Sequence, residues 1–135
     1  MVEKQNVELK LIHMEDVVSK EVEWLWYPYI PYGKITIIEG DPGEGKTTLV
    51  LKLAAALSRG LPLPCDDDKE YEPIHIIYQT AEDGLGDTIK PRLLAAGADC
   101  SKVLVIDDSD QPLTMADVRL EEAIVQTKAK MVVLD

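Results

Sequence analysis

The sequence has few cysteines, no long apolar run and a shortage of basic residues. Its two cysteines, Cys65 and Cys100, show neither metal-site spacing nor a disulfide framework, which favours a reducing cytoplasm as the location. The longest apolar candidate, residues 49–57, contains Lys52 and falls short of the roughly 20 residues that span a bilayer. Residues 1–20 mix charges throughout and lack the apolar stretch of a signal peptide. We therefore expect a cytoplasmic protein without a membrane partner.

Acidic residues outnumber basic ones by 25 to 14, which gives a formal net charge of -11. Such a surface repels a phosphate backbone, so this chain is not expected to wrap a nucleic acid by itself. With 46% hydrophobic and 29% charged residues, the composition is that of a globular protein rather than of a disordered polyelectrolyte. A length of 135 residues predicts one domain with a substantial core.

Apolar runs and turn signals alternate along the chain in the order strand, helix, strand, helix. Residues 1–33 are predicted to be a lead-in segment that ends in an aromatic stretch interrupted by prolines, and residues 34–135 to be the domain itself. Strands are expected at residues 35–38, 74–78, 102–106 and 131–135, and helices at residues 47–59, 85–96 and 114–128. Nearly continuous apolar strands separated by helices indicate an α/β fold, with a parallel sheet covered by helices on both faces.

Two helix boundaries depend on single residues. Pro91 lies inside the helix predicted at residues 85–96, so that helix either begins late, near Thr88, or is kinked. The last helix is expected to open at a capping box formed by residues 114–117, in which Asp117 replaces the usual Glu.

The strongest motif is a glycine-rich loop between the first predicted strand and the first predicted helix. Residues 40–47 fit the phosphate-loop pattern Gly-x-x-x-x-Gly-Lys-Ser/Thr. Glycines let backbone N–H groups turn inward around a phosphate, and the helix N-terminus adds partial positive charge. We expect Lys46 to bridge the β- and γ-phosphates of ATP and the Thr47 hydroxyl to bind Mg²⁺. The side chains of Asp41 and Glu44 are expected to point outward. The predicted nucleotide-binding set is Gly40, Asp41, Pro42, Gly43, Glu44, Gly45, Lys46, Thr47 and Thr48.

Two carboxylates follow predicted strands. Asp135 comes directly after the apolar residues 131–134, and Glu82 follows the strand at residues 74–78. The carboxyl ends of parallel strands lie on the same sheet edge as the phosphate loop, so both side chains should face the nucleotide. We expect Asp135 to hold the water shell of the metal, and Glu82 to polarise the water that attacks the γ-phosphate. The alternative for Glu82 is an acidic pair with Asp83 that caps the following helix.

Several other polar residues near strand ends are secondary candidates. Gln79 and Thr80 could orient water or sense phosphate at the same edge of the sheet. The acidic residues after the third predicted strand are expected to form a solvated loop rather than a metal site: Asp107, Asp108 and Asp110.

Five short segments on the two sides of the phosphate loop point to a family. Before the loop there are Trp-Leu-Trp at residues 24–26 and Ile-Pro-Tyr-Gly-Lys at residues 30–34. After the loop there are Ala-Glu-Asp-Gly at residues 81–84, Asp-Thr-Ile-Lys-Pro-Arg-Leu at residues 87–93 and Ala-Ala-Gly-Ala-Asp at residues 95–99. Together with the loop, they resemble the RecA-like AAA-family ATPases of the plasmid RepA helicase group. By this resemblance, Lys46 and Thr47 match the nucleotide and Mg²⁺ positions. Glu82 matches the catalytic glutamate, and Asp135 matches the Walker B aspartate.

The resemblance, which covers roughly residues 22–135, implies more than the residues alone do. Members of the group are ring-forming, often hexameric homo-oligomers that hydrolyse ATP at subunit interfaces with a neighbour's arginine finger. In the family a sensor strand, nucleic-acid-facing loops and that arginine follow the position of Asp135. The chain is thus expected to be the N-terminal part of a RecA-like P-loop ATPase domain, incomplete at its C-terminus, with any DNA contact made by other regions.

The resemblance also implies an order of strands. Residues 35–38 and 131–134 should be parallel but not direct neighbours, because the family places a later strand between them. Residues 74–78 should pair with residues 131–134, and residues 103–106 should form the outer edge of the sheet.

The motif and the resemblance together predict ATP binding and hydrolysis in a ring-forming ATPase linked to DNA replication or mobile-element maintenance. This chain alone is expected to have little activity. Two alternatives stay open. A P-loop phosphotransferase acting on a small molecule would need an acceptor pocket and a basic lid. A nucleotide-binding switch module would bind ATP without hydrolysing it.

Overall fold

The computed structural model describes residues 6–66, 70–81 and 83–135. The chain divides into two compact units, an N-terminal unit of residues Met1–Ile37 and a C-terminal unit of residues Ile38–Asp135. In the described part of the chain, every helix is too short or too polar to cross a membrane.

The N-terminal unit contains a small antiparallel sheet. Strand β1 (Trp24–Trp26) pairs with β2 (Ile30–Pro31), after a single 3-10 turn at Met14–Asp16. Leu25 is buried between two half-buried tryptophans. The rings of Trp24 and Tyr27 meet edge to face at 5.2 Å, and such aromatic pairs add stability beyond the area that they bury.

Residues 35–38 do not form the buried strand that the sequence predicts. They belong to no strand in the part of the chain that the structure describes, and Ile35 and Ile37 are 79% and 74% exposed. β-Branched residues favour an extended backbone, but a strand also needs a neighbour with which to exchange ladder hydrogen bonds. No described residue pairs with this segment, so the prediction of a buried strand here is wrong.

The C-terminal unit is built on a parallel sheet, as the alternating pattern predicts, but among the described residues the sheet has three strands and not the four that were expected. The strands lie in the order β4 (Val103–Leu104), β3 (Ile76–Gln79) and β5 (Met131–Leu134). Ile76 pairs with Val103 on one side and with Met131 on the other. β3 is buried along its whole length, and strands pair with it on both edges. The α/β class and the order of these three strands are therefore confirmed.

Helix α1 (Lys46–Arg59) supplies much of the core of this unit. Its buried residues are Leu51, Leu53, Ala54, Ala55, Leu57 and Ser58, and the helix packs against α2 (Lys90–Ala95). α1 ends at Gly60, whose backbone is left-handed and whose N–H bonds to the carbonyls of Ala56 and Leu57. A side chain at Gly60 would also collide with the Tyr71 carbonyl, 2.2 Å from an ideal Cβ. Glycine is thus required at this turn on both counts.

The second helix begins late, which is one of the two alternatives that Pro91 left open, and the third begins later than the sequence predicts. α2 starts at Lys90, after one π-helical turn at Leu85–Ile89, so Pro91 lies in the first turn, where its missing N–H has no cost. α3 (Val118–Thr127) is capped by Asp117 itself, which accepts a hydrogen bond from the Arg119 main chain at 2.9 Å. The side chain of Arg119 also bonds to this carboxyl and helps to lower its pKa to about 2. The predicted start of this helix at residue 114 is therefore wrong.

Candidate functional site

The phosphate loop leads directly into the N-terminus of α1, as the motif requires, but residues 35–38 do not form the strand that the motif also calls for before the loop. Gly43 and Gly45 have φ angles of 84° and 90°, a left-handed conformation that favours glycine. Gly45 is the N-cap of α1, and the first helical hydrogen bond runs from Leu49 N–H to its carbonyl. Backbone N–H groups in the first turn of a helix have no partner within the helix. The loop therefore presents main-chain donors and the positive end of the helix dipole, which fit a phosphate group.

Lys46 and Thr47 are the first two residues of α1, and both side chains are half-buried. The Lys46 ammonium donates to the carbonyl of Gly40, at the other end of the loop. The lysine side chain therefore lies across the loop, where it could reach a bound phosphate. Thr48 follows on the exposed side of the helix.

Glu44 departs from the expected arrangement. Its Oε2 accepts a hydrogen bond from the main-chain N–H of Asp41 at 2.9 Å, so the side chain folds back over the loop instead of pointing outward. A hydrogen bond from a main-chain N–H is stronger to a carboxylate than to a neutral acceptor, which accounts for the inward orientation of the Glu44 side chain. Negative charge therefore lies closer to the loop than the sequence predicts.

The carboxyl edge of the sheet positions Asp135 through its neighbour β3. The Asp135 N–H donates to the Gln79 carbonyl at 2.8 Å, which extends the β3–β5 ladder by one residue. The Tyr78 hydroxyl donates to Asp135 Oδ2 at 3.0 Å. Burial of the Tyr78 ring, together with this hydrogen bond and the Asp135 charge, raises the pKa of its phenol well above the usual range. Beside Asp135 there is a cavity of about 150 Å³, lined by residues 79–81, Asp108, residues 113–115 and residues 134–135.

The predicted residues thus form two groups in the C-terminal unit. One is the loop at the start of α1, and the other is the edge formed by the ends of β3 and β5. Among the described residues, no hydrogen bond or ion pair joins Lys46 or Thr47 to Asp135. Glu82 lies outside the described residues, and its catalytic assignment stays a prediction. Asp83 beside it donates its main-chain N–H to Thr80 Oγ1 at 3.3 Å.

A ready-made metal cage is not found in the part of the chain that is described: no three His, Cys, Asp or Glu side chains converge there. Mg²⁺ is usually held by one or two protein ligands together with phosphate oxygens and water. The Thr47 hydroxyl and the Asp135 carboxylate are ligand types that fit this pattern, although they lie in the two separate groups described above.

Gln79 is engaged in the sheet rather than available to a ligand. It is 7% exposed, its Oε1 accepts from Ile106 N–H at 2.6 Å, and its Nε2 donates to the Ile106 carbonyl at 3.3 Å. The β3–β4 ladder ends at the pair Ile77 and Leu104, so the Gln79 amide continues the pairing where the two main chains separate. These hydrogen bonds account for a polar residue at the end of a buried strand, so a role in phosphate sensing is not needed to explain it.

We expect Gln79→Ala to destabilise the fold by about 1–3 kcal/mol, because it leaves the main-chain groups of Ile106 without their partner. Urea denaturation checks the value. The matched control is Gln126→Ala at an exposed position of α3, which should change stability by less than about 0.5 kcal/mol. Equal effects of the two substitutions would show that the Gln79 amide contributes nothing specific.

In the acidic loop after β4, Asp107 and Asp110 are exposed, as expected of a solvated loop, whereas Asp108 is half-buried. Asp107 accepts from the Ser109 hydroxyl at 2.6 Å and from its main-chain N–H at 3.1 Å, and these bonds lower the pKa of the Asp107 carboxyl. Asp108 accepts from Leu113 N–H at 3.1 Å.

Sequence reasoning missed Tyr78. The available signal was a tyrosine at the end of a run of apolar strand residues, since a buried phenol usually needs a hydrogen-bond partner.

The family model described as "AAA domain" matches residues 5–135. The match includes most of the predicted lead-in segment as well as the phosphate loop and both carboxylate positions. No curated protein and no solved structure matches the chain.

Proposed function

This chain belongs to the AAA domain family of ATPases, and on that basis we propose that it binds ATP with Mg²⁺ at residues 40–48 and hydrolyses it to ADP and phosphate. Family membership indicates nucleotide binding and ATPase activity in general. The observation that supports this particular site is the loop itself. Left-handed Gly43 and Gly45 lead directly into a helix N-terminus that begins with Lys46 and Thr47. Main-chain donors, an ammonium group and a hydroxyl are thereby presented together, which is the chemistry that a polyphosphate requires.

Each residue has a distinct task in this proposal. The loop N–H groups and Lys46 bind the phosphates, and Thr47 and Asp135 hold Mg²⁺. The metal, when bound, neutralises charge that develops on the phosphate oxygens. Glu82 accepts the proton of the attacking water, which its place between β3 and the π-helical turn supports.

The finer assignment rests on the resemblance described above. We propose that the protein works in the cytoplasm as a homo-oligomeric ring, hexameric in the manner of many members of the plasmid RepA helicase group. DNA replication or mobile-element maintenance would be its process. The net charge of -11 argues against DNA contact by the surface of this chain itself. We also propose a lead-in segment at residues 1–33 and an ATPase domain from residue 34. The division of the chain into compact units near this point supports that boundary.

Phosphate release separates this proposal from its rivals. With Mg-ATP and no acceptor added, we expect slow, Mg²⁺-dependent release of inorganic phosphate. We expect a rate below the roughly 1 per second at the low end of typical enzymes for a monomeric chain, because members of the group that it resembles complete the site with an arginine from a neighbouring subunit. A coupled colorimetric assay measures the rate, and excess EDTA is the control. Release only after a small-molecule acceptor is added would favour a phosphotransferase. Tight ATP binding with no release would favour a switch module.

A further inference from the structure

The side chain of Tyr78 connects the core of the C-terminal unit to the edge that carries Asp135. Tyr78 lies in the central strand β3 and is completely buried, with 0% of its surface exposed. The strand register pairs it with Val133 of β5. Side chains alternate between the faces of a sheet, so Asp135, two residues beyond Val133, lies on the same face as Tyr78. The phenol is long enough to reach the end of the strand, where it donates to Asp135 Oδ2 at 3.0 Å.

Asp135 is held in two ways, both through β3. Its main-chain N–H is fixed by the Gln79 carbonyl at 2.8 Å, and its carboxylate is fixed by the Tyr78 hydroxyl. Asp135 itself is exposed, so without the hydroxyl its side chain would rotate in solvent. A carboxylate has about four acceptor positions, so one hydrogen bond to Oδ2 leaves capacity for a metal or its water.

Packing alone does not account for a tyrosine at this position. Phenylalanine would fill the same space, and a buried hydroxyl costs stability unless it finds a partner. The neighbouring residues of β3, Ile76 and Ile77, are purely apolar and also fully buried. Packing of the core therefore does not require the Tyr78 hydroxyl, whereas the orientation of the Asp135 carboxylate depends on it.

We propose that Tyr78 is a positioning residue: its hydroxyl orients the Asp135 carboxylate for Mg²⁺ in the nucleotide complex. This inference rests on the proposed function, in which Asp135 is a metal ligand. Residues that hydrogen-bond a metal ligand typically change metal affinity by about 10–100-fold when they are replaced.

The test measures the affinity of the chain for a fluorescent ATP analogue, once with excess Mg²⁺ and once with EDTA. For Tyr78→Phe we expect unchanged affinity in EDTA and a loss of about 10-fold in the gain that Mg²⁺ provides. The matched control is Tyr71→Phe, which removes a second tyrosine–aspartate hydrogen bond, to Asp66, in the loop that precedes β3. This control should keep the full gain from Mg²⁺.

A second variant tests the inference without disturbing the core. Asp135→Glu keeps the carboxylate and leaves Tyr78 in place, but moves the oxygens relative to the hydroxyl. We expect it to lose the Mg²⁺-dependent gain as Tyr78→Phe does. A full gain in either Tyr78→Phe or Asp135→Glu would overturn the positioning role. So would a Tyr78→Phe variant that melts earlier and loses affinity equally with Mg²⁺ and with EDTA, because that is the result of a structural role.

The variant Asp135→Asn separates failure of this inference from failure of the proposed function. If Asp135→Asn loses the Mg²⁺-dependent gain while Tyr78→Phe keeps it, only the role of Tyr78 is wrong. If Asp135→Asn keeps the gain, Asp135 is not a metal ligand and the inference falls with that assignment. If the unmodified chain binds no nucleotide, both the proposed function and the inference are wrong.

Discussion

Replacing Lys46 with alanine is expected to weaken the binding of Mg-ATP by about 100-fold or more, because two charge-assisted hydrogen bonds to phosphate, each contributing about 1.5 kcal/mol, are lost. The fold should survive the substitution. The only bond that the Lys46 ammonium makes within the described residues is to the carbonyl of Gly40, which is exposed and can bond to water instead. Isothermal titration calorimetry gives the affinity, and thermal melting reports the fold.

The matched control for this prediction is Lys52→Ala. Lys52 lies on the same helix α1 and is exposed, so its removal changes the net charge by the same amount without touching the loop. We expect its affinity for Mg-ATP to stay within about twofold, since exposed charges contribute little at physiological salt. Unchanged affinity in Lys46→Ala, or equal losses in both variants, would contradict a specific contact between Lys46 and phosphate.

Replacing Glu82 with glutamine is expected to leave ATP affinity intact and to slow hydrolysis by about 10²–10⁴-fold. The amide has nearly the shape of the carboxylate but cannot accept a proton from the attacking water. Because Glu82 lies outside the described residues, this expectation rests on its place after β3 and on the family resemblance. Single-turnover phosphate release gives the rate, and calorimetry gives the affinity.

Asp83→Asn is the control for the neighbouring charge. The Asp83 main chain, not its carboxylate, makes the bond to Thr80, so the local turn should persist. We expect at most a severalfold change in rate. If Glu82→Gln instead lost affinity and rate to the same extent, Glu82 would be a structural residue, in line with the alternative of an acidic capping pair.

The fold was predictable where apolar runs are bounded by clear turn signals. The apolar patterns at residues 74–78 and 131–134 identified two strands that pair in the parallel sheet, of which β3 is buried along its length and β5 is half-buried to exposed. The same reasoning failed at residues 35–38, where composition signals a strand but no described neighbour completes the ladder. Strand propensity is local, whereas strand pairing depends on residues far away in the chain.

The candidate site was predictable in its motif and less so in its contacts. The phosphate loop follows from glycine spacing, since only particular backbone angles let the loop turn into α1. The hydrogen bond from the Asp41 N–H to the Glu44 carboxylate could not be predicted, because it depends on the backbone angles of the residues between them. Tyr78 and Gln79 were hidden for a similar reason. Their partners, Asp135 and Ile106, become neighbours only through the strand register.

The nucleotide site is tested most directly by a calorimetric titration of the chain with ATP in the presence of Mg²⁺, repeated with Lys46→Ala. We expect saturable binding of about one ATP per chain, because there is one phosphate loop, and loss of that binding in the variant. Absence of binding by the unmodified chain, or binding of the same strength in Lys46→Ala, would contradict the claim that residues 40–48 form a nucleotide site.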